Sequence, residues 1–110
     1  MEVSRTITQY DIYWVSLDPT EGSEIAKTRP CVIVSPDELN AHLRTVIIAP
    51  LTSTIKNYPY RVNCVVSRKK GSIALDQLRT VDKVRLSEYI AHLSANEIEG
   101  VKDVLREMLC

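Results

Sequence analysis

The sequence predicts a β-rich α+β fold in which a strongly bent sheet, or a small barrel, carries one C-terminal α-helix over an opening. Three observations predict this class. Short β-branched and aromatic runs recur along residues 11–93, turn residues separate them, and a segment of helical periodicity ends the chain. No internal repeat or linker interrupts this pattern, so we expect a single domain spanning residues 1–110.

The strand predictions follow the apolar runs in chain order. Residues 11–17 form the first predicted strand, because β-branched and aromatic side chains dominate there. The turn-forming letters DPTEGSE at 18–24 end it in a polar loop, which we expect to continue to Arg29. Pro30 then opens a short buried strand at 31–35. Further strands are predicted at 45–51, stopped by Pro50, at 60–66, at 72–75 after a turn at 67–71, and at 89–93.

The helix predictions rest on capping residues and on spacing. A proline followed by two acids at 36–40 suits a first helical turn, and a brief turn is expected at 83–86. Ser94 and Glu97 fit a capping box that opens the longest predicted helix. Its apolar residues recur at helical spacing on one face: Ile98, Val101, Val104, Leu105, Met108 and Leu109.

The charge of the chain is unevenly distributed although the formal net charge is zero. Residues 1–26 carry net −4, residues 27–85 carry eleven basic and four acidic residues, net +7, and residues 86–110 carry net −3. A basic middle segment can attract a polyanion to one face of a neutral protein, although a merely solvated basic surface explains the charge equally well.

The cysteines and the apolar runs restrict the location of the protein. Cys31, Cys64 and Cys110 are odd in number and lack metal-ligand spacing, which disfavours a disulfide framework and a zinc site and favours reduced thiols. There is no apolar run of transmembrane length and no secretory signal pattern. We therefore expect a cytoplasmic protein without a membrane partner.

Polar residues at the ends of the predicted strands are the candidates for chemistry. His42 and His92 are more plausible as structural residues than as an acid–base pair, and the acidic residues lack the spacing of metal ligands. Four polar groups remain, and each by itself is unspecific: GSE at 22–24, TRP at 28–30, TST at 52–54 and DQLR at 76–79.

Taken in order, these motifs resemble the MazF/PemK family of toxin endoribonucleases. The resemblance covers residues 11 to about 86 and runs through DIYWVSLDPTEGSEIAKTRPCVIVS, IIAPLTS, YPYRV and LDQLRTVD. It implies an SH3-like twisted barrel of the CcdB/PemK type that forms a homodimer. It also implies a toxin of a type II toxin–antitoxin system, which cuts single-stranded RNA without a metal or other cofactor, leaves 2′,3′-cyclic phosphate and 5′-OH ends, and inhibits translation and growth. The cognate antitoxin would place an acidic C-terminal tail in the RNA groove, and the pair would bind DNA.

The resemblance also assigns roles to individual residues. The catalytic pair falls on Arg29 and Thr52, and the RNA-binding positions fall on Ser23, Glu24, Ser53, Asp76, Gln77 and Arg79. Some PemK-type members carry a histidine at the position of Ser23 and an arginine at that of Ala74, so the arginine–threonine assignment is preferred here.

Three questions stay open at the level of sequence. Arg29 suits phosphate binding but is a poor base. Glu24 is the nearby carboxylate that can take the 2′-OH proton, although recognition of a base edge suits it better. Tyr58 and Tyr60 are suited to base stacking or to packing. The alternative functions are a non-catalytic CcdB-like poison of DNA gyrase, disfavoured because the sole tryptophan is Trp14 and not in the C-terminal tail, and an RNA-binding module without turnover.

Overall fold

The structure is a computed structural model that describes residues 6–17, 27–53 and 59–110, with only the backbone of Lys27. These residues form seven strands and two helices, joined in places by single 3-10 turns. The elements are β1 (Asp11–Leu17), β2 (Lys27–Ile33), α1 (Asp37–His42), β3 (Thr45–Thr52), β4 (Arg61–Val66), β5 (Lys69–Ala74), β6 (Arg79–Asp82), β7 (Leu86–His92) and α2 (Ala95–Leu109), with 3-10 turns at Leu75–Gln77 and Lys83–Arg85.

The strands form one antiparallel sheet in the order β4-β5-β3-β2-β1-β7, with β6 as an additional neighbour of β3. β3 is the strand around which the sheet curls. One of its edges pairs with β2, and the other pairs first with β6, from Thr45 to Ile48, and then with β5, at Leu51 and Thr52. The predicted β-rich fold with a bent sheet and a C-terminal helix is therefore confirmed.

Alternate residues of the central strands supply two hydrophobic clusters on opposite faces of the sheet, as the two-residue period of a strand requires. In β2, Val32 belongs to the first cluster, whereas Cys31 and Ile33 belong to the second. In β3, Leu51 belongs to the first and Ile48 to the second. Helix α2 covers the first cluster with five of the six residues predicted from spacing, and its central side chain, Val101, is fully buried. The sixth, Leu109, lies outside the cluster and is 66% exposed, because it is in the last turn of the helix.

Helix α2 begins with the predicted capping box and is also fastened to the edge of the sheet. The Ser94 hydroxyl accepts a hydrogen bond from the Glu97 amide (3.2 Å), and Glu97 Oε1 accepts one from the Ser94 amide (2.9 Å). Glu97 Oε2 accepts a third hydrogen bond, from the Val65 amide of β4 (2.9 Å). One carboxylate thus starts the helix and holds it against the first strand of the sheet order.

No helix of the described ranges is long and apolar enough to span a membrane.

The predicted boundaries of two strands were wrong, and both lie near a proline. The loop expected to continue to Arg29 ends earlier, because β2 begins at Lys27, where its residues pair with β1 (Ser16 with Thr28, Val15 with Arg29). The strand expected to stop at Pro50 continues to Thr52. Proline lacks an amide hydrogen, and it is tolerated here because β3 pairs with β6 only as far as Ile48 and with β5 only from Leu51.

Two further strands begin earlier than predicted. β5 begins at Lys69 because the turn before it contains only Ser67 and Arg68, whose positive φ angles of 51° and 68° suit a tight two-residue hairpin. β7 begins at Leu86, where it pairs with Val15 of β1. In both cases pairing with a neighbouring strand extends the element beyond its apolar run.

A buried polar network fixes α1 beside β3. Asn40 and Ser35 are both 3% exposed. The Asn40 amide nitrogen donates to the Ser35 carbonyl (2.9 Å), and the Ser35 hydroxyl donates to Asn40 Oδ1 (2.6 Å) while accepting from the Ile47 amide (3.0 Å). The Lys83 ammonium donates to the Asn40 carbonyl oxygen. The side chains of Ser35 and Asn40 therefore join the segment after β2, helix α1 and strand β3.

The three thiols should differ sharply in reactivity. Burial raises the pKa of the Cys31 thiol to about 12 and that of Cys64 to about 11, the latter with help from the Glu97 carboxylate, whereas Cys110 is exposed. Because the thiolate is the reactive form, we expect one thiol per chain to react rapidly with a disulfide reagent at pH 8 and three after unfolding. A Cys110→Ser variant should lose the rapid phase, and a second rapidly reacting thiol in the folded protein would contradict the burial.

Candidate functional site

Arg29 and Thr52 lie in adjacent strands, Arg29 near the start of β2 and Thr52 at the end of β3. The β2–β3 register pairs Val32 with Ala49 and Cys31 with Pro50, and continuing it by two residues sets Arg29 opposite Thr52. Residues opposite one another in antiparallel strands project from the same face, with Cβ atoms about 4.5–5.5 Å apart. Both side chains are half-buried. The two residues predicted as a pair from the sequence therefore lie on one face of the sheet and line the same groove.

A groove of about 500 Å³ opens at this end of the sheet. We call it the end groove. Trp14, which is 38% exposed, contributes an aromatic surface to it. Every charged residue in its described lining is basic, namely Arg29, Lys69 and Lys70. An apolar surface beside cationic side chains suits a ligand that has flat rings and negative charge. The remaining described lining consists of Pro30, Leu51, Thr52, Ser53, Val66, Ser67, Gly71 and Ile90.

Arg29 and Arg79 also place positive charge on the face of the sheet that carries the second hydrophobic cluster. The pKa of the Cys31 thiol is raised by burial, and the charges of Arg29 and Arg79 oppose part of this rise. Both guanidinium groups are therefore close enough to act on one thiol. Arg79 pairs with Ile48 on the far side of β3 from β2 and is exposed. The structure thus places the candidates Arg29 and Arg79 on either side of β3.

Asp76 is held by a partner that the sequence did not indicate. Arg61 of β4 binds its carboxylate with two hydrogen bonds, Nε to Oδ1 at 2.7 Å and Nη2 to Oδ2 at 3.3 Å. These bonds are the main reason that the pKa of Asp76 lies below its ordinary value of 3.8. Gln77 follows in the same 3-10 turn and is exposed. Neither Asp76 nor Gln77 lines the end groove among the described residues.

The Arg61–Asp76 pair should make stability dependent on pH in the acid range. A carboxyl group whose pKa is depressed by folding stabilises the protein above its ordinary pKa of 3.8, and this contribution is lost as the pH falls through the depressed value. We expect Asp76→Asn to destabilise the protein at pH 7 by about 1 kcal/mol or less, since the carboxylate is partly exposed, and the difference to shrink as the pH falls from 3.8 through the depressed pKa of Asp76.

Urea unfolding at pH 7 and at pH 3 measures this difference. Asp103→Asn is the matched control, because the Asp103–Arg106 pair on α2 is exposed on both sides and should contribute less at either pH. A difference between wild type and Asp76→Asn that grows on acidification would contradict the assignment.

The two histidines have local partners, as expected for structural residues. His92 Nδ1 lies 2.8 Å from Oδ1 of the buried Asp11, whose other oxygen accepts a hydrogen bond from the Thr8 amide (3.1 Å). His42 Nδ1 lies 3.0 Å from the Glu38 carbonyl oxygen within α1. Across residues 6–17, 27–53 and 59–110, no three His, Cys, Asp or Glu side chains are grouped to hold a metal ion.

The comparisons with known proteins agree with this arrangement. The family model described as "PemK-like, MazF-like toxin of type II toxin-antitoxin system" matches residues 8–109. The chain belongs to this family. MazF from Deinococcus radiodurans is 25% identical, with a TM-score of 0.79 over 96% of this chain and 98% of that chain. An endoribonuclease from a mycobacterial species is 22% identical, with a TM-score of 0.79 over 98% of this chain and 95% of that one.

A further solved structure contains a partner of the family. The MazE–MazF complex from Deinococcus radiodurans (Form-II) matches at a TM-score of 0.82 and 25% identity, over 96% of this chain and 97% of that chain. The predicted MazF/PemK resemblance and the predicted CcdB/PemK-type fold are both confirmed. The family match and the position of Trp14 within β1 of this MazF-like toxin do not favour the gyrase alternative.

The predicted site residues are brought together only in part. Arg29, Thr52 and Ser53 line the end groove of this MazF-like toxin, whereas Arg79 lies opposite Ile48 on the far side of β3 and is not in the groove's described lining. Asp76 is bound by Arg61, a residue of the YPYRV motif to which the sequence analysis gave no role. Ser23, Glu24 and Tyr58 lie outside the described residues.

Sequence reasoning missed the outward-facing Trp14 and the two lysines of the hairpin. The signal for Trp14 was available, because Tyr13 and Val15 belong to the second cluster and the residue between them projects to the opposite face of the sheet. Its pairing with Pro30 places it beside the TRP motif. Lys69 and Lys70 were assigned to a turn, and only the hairpin register shows that they begin β5 and reach the groove.

Proposed function

We propose that this protein is a metal-independent, sequence-specific endoribonuclease that cleaves single-stranded RNA and thereby inhibits translation and growth. The observation that carries the proposal is the placement of Arg29 opposite Thr52 at the basic end groove, in a chain of the MazF-like toxin family. The name of a structural neighbour, an endoribonuclease from a mycobacterial species, supports the same activity.

The proposed reaction is a transesterification within the RNA. The 2′ oxygen attacks the adjacent phosphorus, the bond from phosphorus to the 5′ oxygen breaks, and the products carry a 2′,3′-cyclic phosphate and a 5′-OH. The 2′-OH loses a proton and the 5′ oxygen gains one. Negative charge increases on the non-bridging oxygens in the transition state, and a group that binds this charge lowers the barrier.

Arg29 is the residue suited to that charge. Its planar guanidinium can donate two parallel hydrogen bonds to a phosphate and remains protonated throughout. Thr52, opposite Arg29, can donate a hydrogen bond to the same phosphate and hold it for in-line attack. Asp76 is a poor proton acceptor, because its bonds to Arg61 lower the pKa of its carboxyl group. Ser53 and Arg79 are proposed to bind flanking phosphates, and Gln77 a base edge.

Trp14 gives the proposed site a surface for an unpaired base. Its indole is exposed within a groove whose described charged residues are all basic. Stacking of a base on an aromatic side chain requires a base that is free of its complementary strand, which favours single-stranded over double-stranded RNA.

The test uses purified protein, a labelled single-stranded RNA and buffer containing EDTA. We expect cleavage at a small number of sequences, with ends that resist ligation until the cyclic phosphate is removed, and little cleavage of the same RNA after annealing to its complement. Mapping the 5′ ends then gives the recognition sequence. Cleavage that stops in EDTA, or products with 5′ phosphates, would falsify the proposed mechanism.

The proposed partners are an antitoxin and a second copy of the chain. Solved structures named as a MazE–MazF complex and as an endoribonuclease with its cognate antitoxin are similar to this chain, with TM-scores of 0.82 and 0.78. An acidic antitoxin tail would be attracted to Arg29, Lys69 and Lys70 at the end groove. We therefore expect RNA and the antitoxin to compete, and light scattering of the purified toxin to give the mass of a dimer.

A further inference from the structure

Ser72 is a fully buried serine whose hydroxyl is unsatisfied. Its exposed fraction is 0%, and its Oγ has no hydrogen-bond partner within the described part of the chain. A buried hydroxyl without a partner destabilises a protein, and natural structures retain few of them. A methyl group would fill much the same space without this cost. The retained hydroxyl therefore requires an explanation.

The position of Ser72 beside Thr52 suggests one. The two residues are register partners in the β3–β5 pairing, so their side chains leave the sheet on the same face. Arg29 extends the row on the other side of Thr52. The row Arg29–Thr52–Ser72 thus crosses three adjacent strands, β2, β3 and β5, and continues to the exposed Asn63 of β4, so that Ser72 is its buried member.

The backbone holds Ser72 in this place. A Cβ atom on Gly71, the preceding residue, would lie 2.8 Å from the Thr52 carbonyl oxygen. Contact that close requires a glycine, so β5 can approach the end of β3 only because residue 71 has no side chain. The positions of Ser72 and Thr52 relative to each other are consequently fixed by main-chain packing.

We propose that Ser72 is a positioning residue that acts through Thr52, an inference that rests on the proposed RNA-cleaving function. When the Thr52 hydroxyl donates its hydrogen to the substrate phosphate, its oxygen retains the capacity to accept. Ser72 rotates and donates to that oxygen. The series Ser72–Thr52–phosphate orients the Thr52 hydroxyl and polarises it, which strengthens its bond to the phosphate.

This arrangement explains why the hydroxyl is unsatisfied in the free protein. A hydrogen bond that is absent in the free protein, is weak with the bound substrate and strengthens as charge increases on the phosphate favours the transition state over both. The loss of stability in the free state is then compensated during the reaction. A serine retained for packing alone would offer no such compensation.

Ser35 supplies a matched control, because it is also a buried serine but its hydroxyl has hydrogen-bond partners. Its hydroxyl is bonded to Asn40 and to the Ile47 amide. We expect Ser72→Ala to melt at or above the wild-type temperature, because an unsatisfied group is removed, and Ser35→Ala to melt lower. A Ser72→Ala protein that melts as low as Ser35→Ala would overturn the proposal, since the hydroxyl would then have a partner in the free state.

The decisive experiment is a double-mutant cycle on cleavage of a short single-stranded RNA. We expect Ser72→Ala to lower kcat roughly 3- to 10-fold at an unchanged KM. We expect the same substitution to have no further effect in a Thr52→Val background, because residues that act as a unit are not additive. The kcat of Ser72→Cys, which keeps a weak donor, should lie between those of the wild type and Ser72→Ala.

Each outcome distinguishes the two proposals. Wild-type kcat in Ser72→Ala, or an equal loss in both backgrounds, would overturn the role of Ser72 while leaving the RNA-cleaving function in place. A wild-type protein that does not cleave RNA would overturn the proposed function, and the role of Ser72 with it. Ser35→Ala should retain wild-type kcat once corrected for its folded fraction.

Discussion

Arg29→Ala should abolish cleavage of single-stranded RNA, with a loss in kcat of roughly 100- to 1,000-fold or more, while the protein stays folded. Arg29 lies near the start of β2, opposite Thr52 by extension of the β2–β3 register, and it is the basic residue of the end groove assigned to the proposed phosphate site. Its removal takes away the donors that bind the charge of the transition state. Arg29→Lys keeps the charge but loses the paired donors, so its activity should be intermediate.

Single-turnover cleavage in EDTA measures this effect, and circular dichroism melting shows whether the fold is retained. Arg44→Ala is the matched control, because Arg44 is exposed before β3, at the opposite end of that strand from Thr52, and its loss removes the same charge. We expect wild-type rates for Arg44→Ala. Full activity in Arg29→Ala would contradict the proposed site.

Asn40→Ala should lower the free energy of unfolding by about 2–4 kcal/mol without changing the chemistry of the groove. The amide of Asn40 satisfies both the carbonyl and the hydroxyl of Ser35, which in turn binds the Ile47 amide of β3. The substitution leaves these buried groups without their partner and creates a cavity beneath α1. An unsatisfied buried polar group costs more than the net value of the bond that it lost.

Denaturant unfolding of the wild type and the variant gives the difference directly. Asn63→Ala serves as the control, since Asn63 is an exposed asparagine on β4 and its replacement should change stability by about 0.5 kcal/mol or less. A loss below 1 kcal/mol in Asn40→Ala would show that the network contributes little to stability.

The parts of the fold that depend on near neighbours in sequence were predictable. The capping box of α2 involves Ser94 and Glu97, three residues apart, and the structure reproduces it. The apolar face of the same helix follows from its period. The first strand was placed at its correct bounds because its turn signal follows directly. In each case the energetic determinants lie within a few residues of one another.

The errors concern residues whose conformation depends on a distant strand. Arg29 was placed in a loop, and it lies in β2 because Val15 of β1 pairs with it. Pro50 was expected to end β3, and it lies between two pairing regions that come from different parts of the chain. No local pattern states which strands will be neighbours, so a proline in the centre of a curled sheet could not be anticipated.

The candidate site was predictable as a set of motifs but not as an arrangement. The motifs identified Arg29 and Thr52, and the register shows that they are opposite each other. The partner of Asp76 was not predicted, because Arg61 is fifteen residues away in sequence and is brought to it by the β4–β5 hairpin. The environment of Ser72 is likewise set by three strands and has no signature in the sequence.

The third hydrogen bond of Glu97 has a consequence for the behaviour of the protein at high concentration. β4 is the first strand in the sheet order, and an uncovered strand of this kind can recruit a strand from another molecule and begin aggregation. Val65, which is 56% exposed there, would make such recruitment more favourable. Because the carboxylate occupies the Val65 amide, an incoming strand would first have to displace it. We therefore expect Glu97 to hinder the addition of a foreign strand at β4, apart from its part in starting α2.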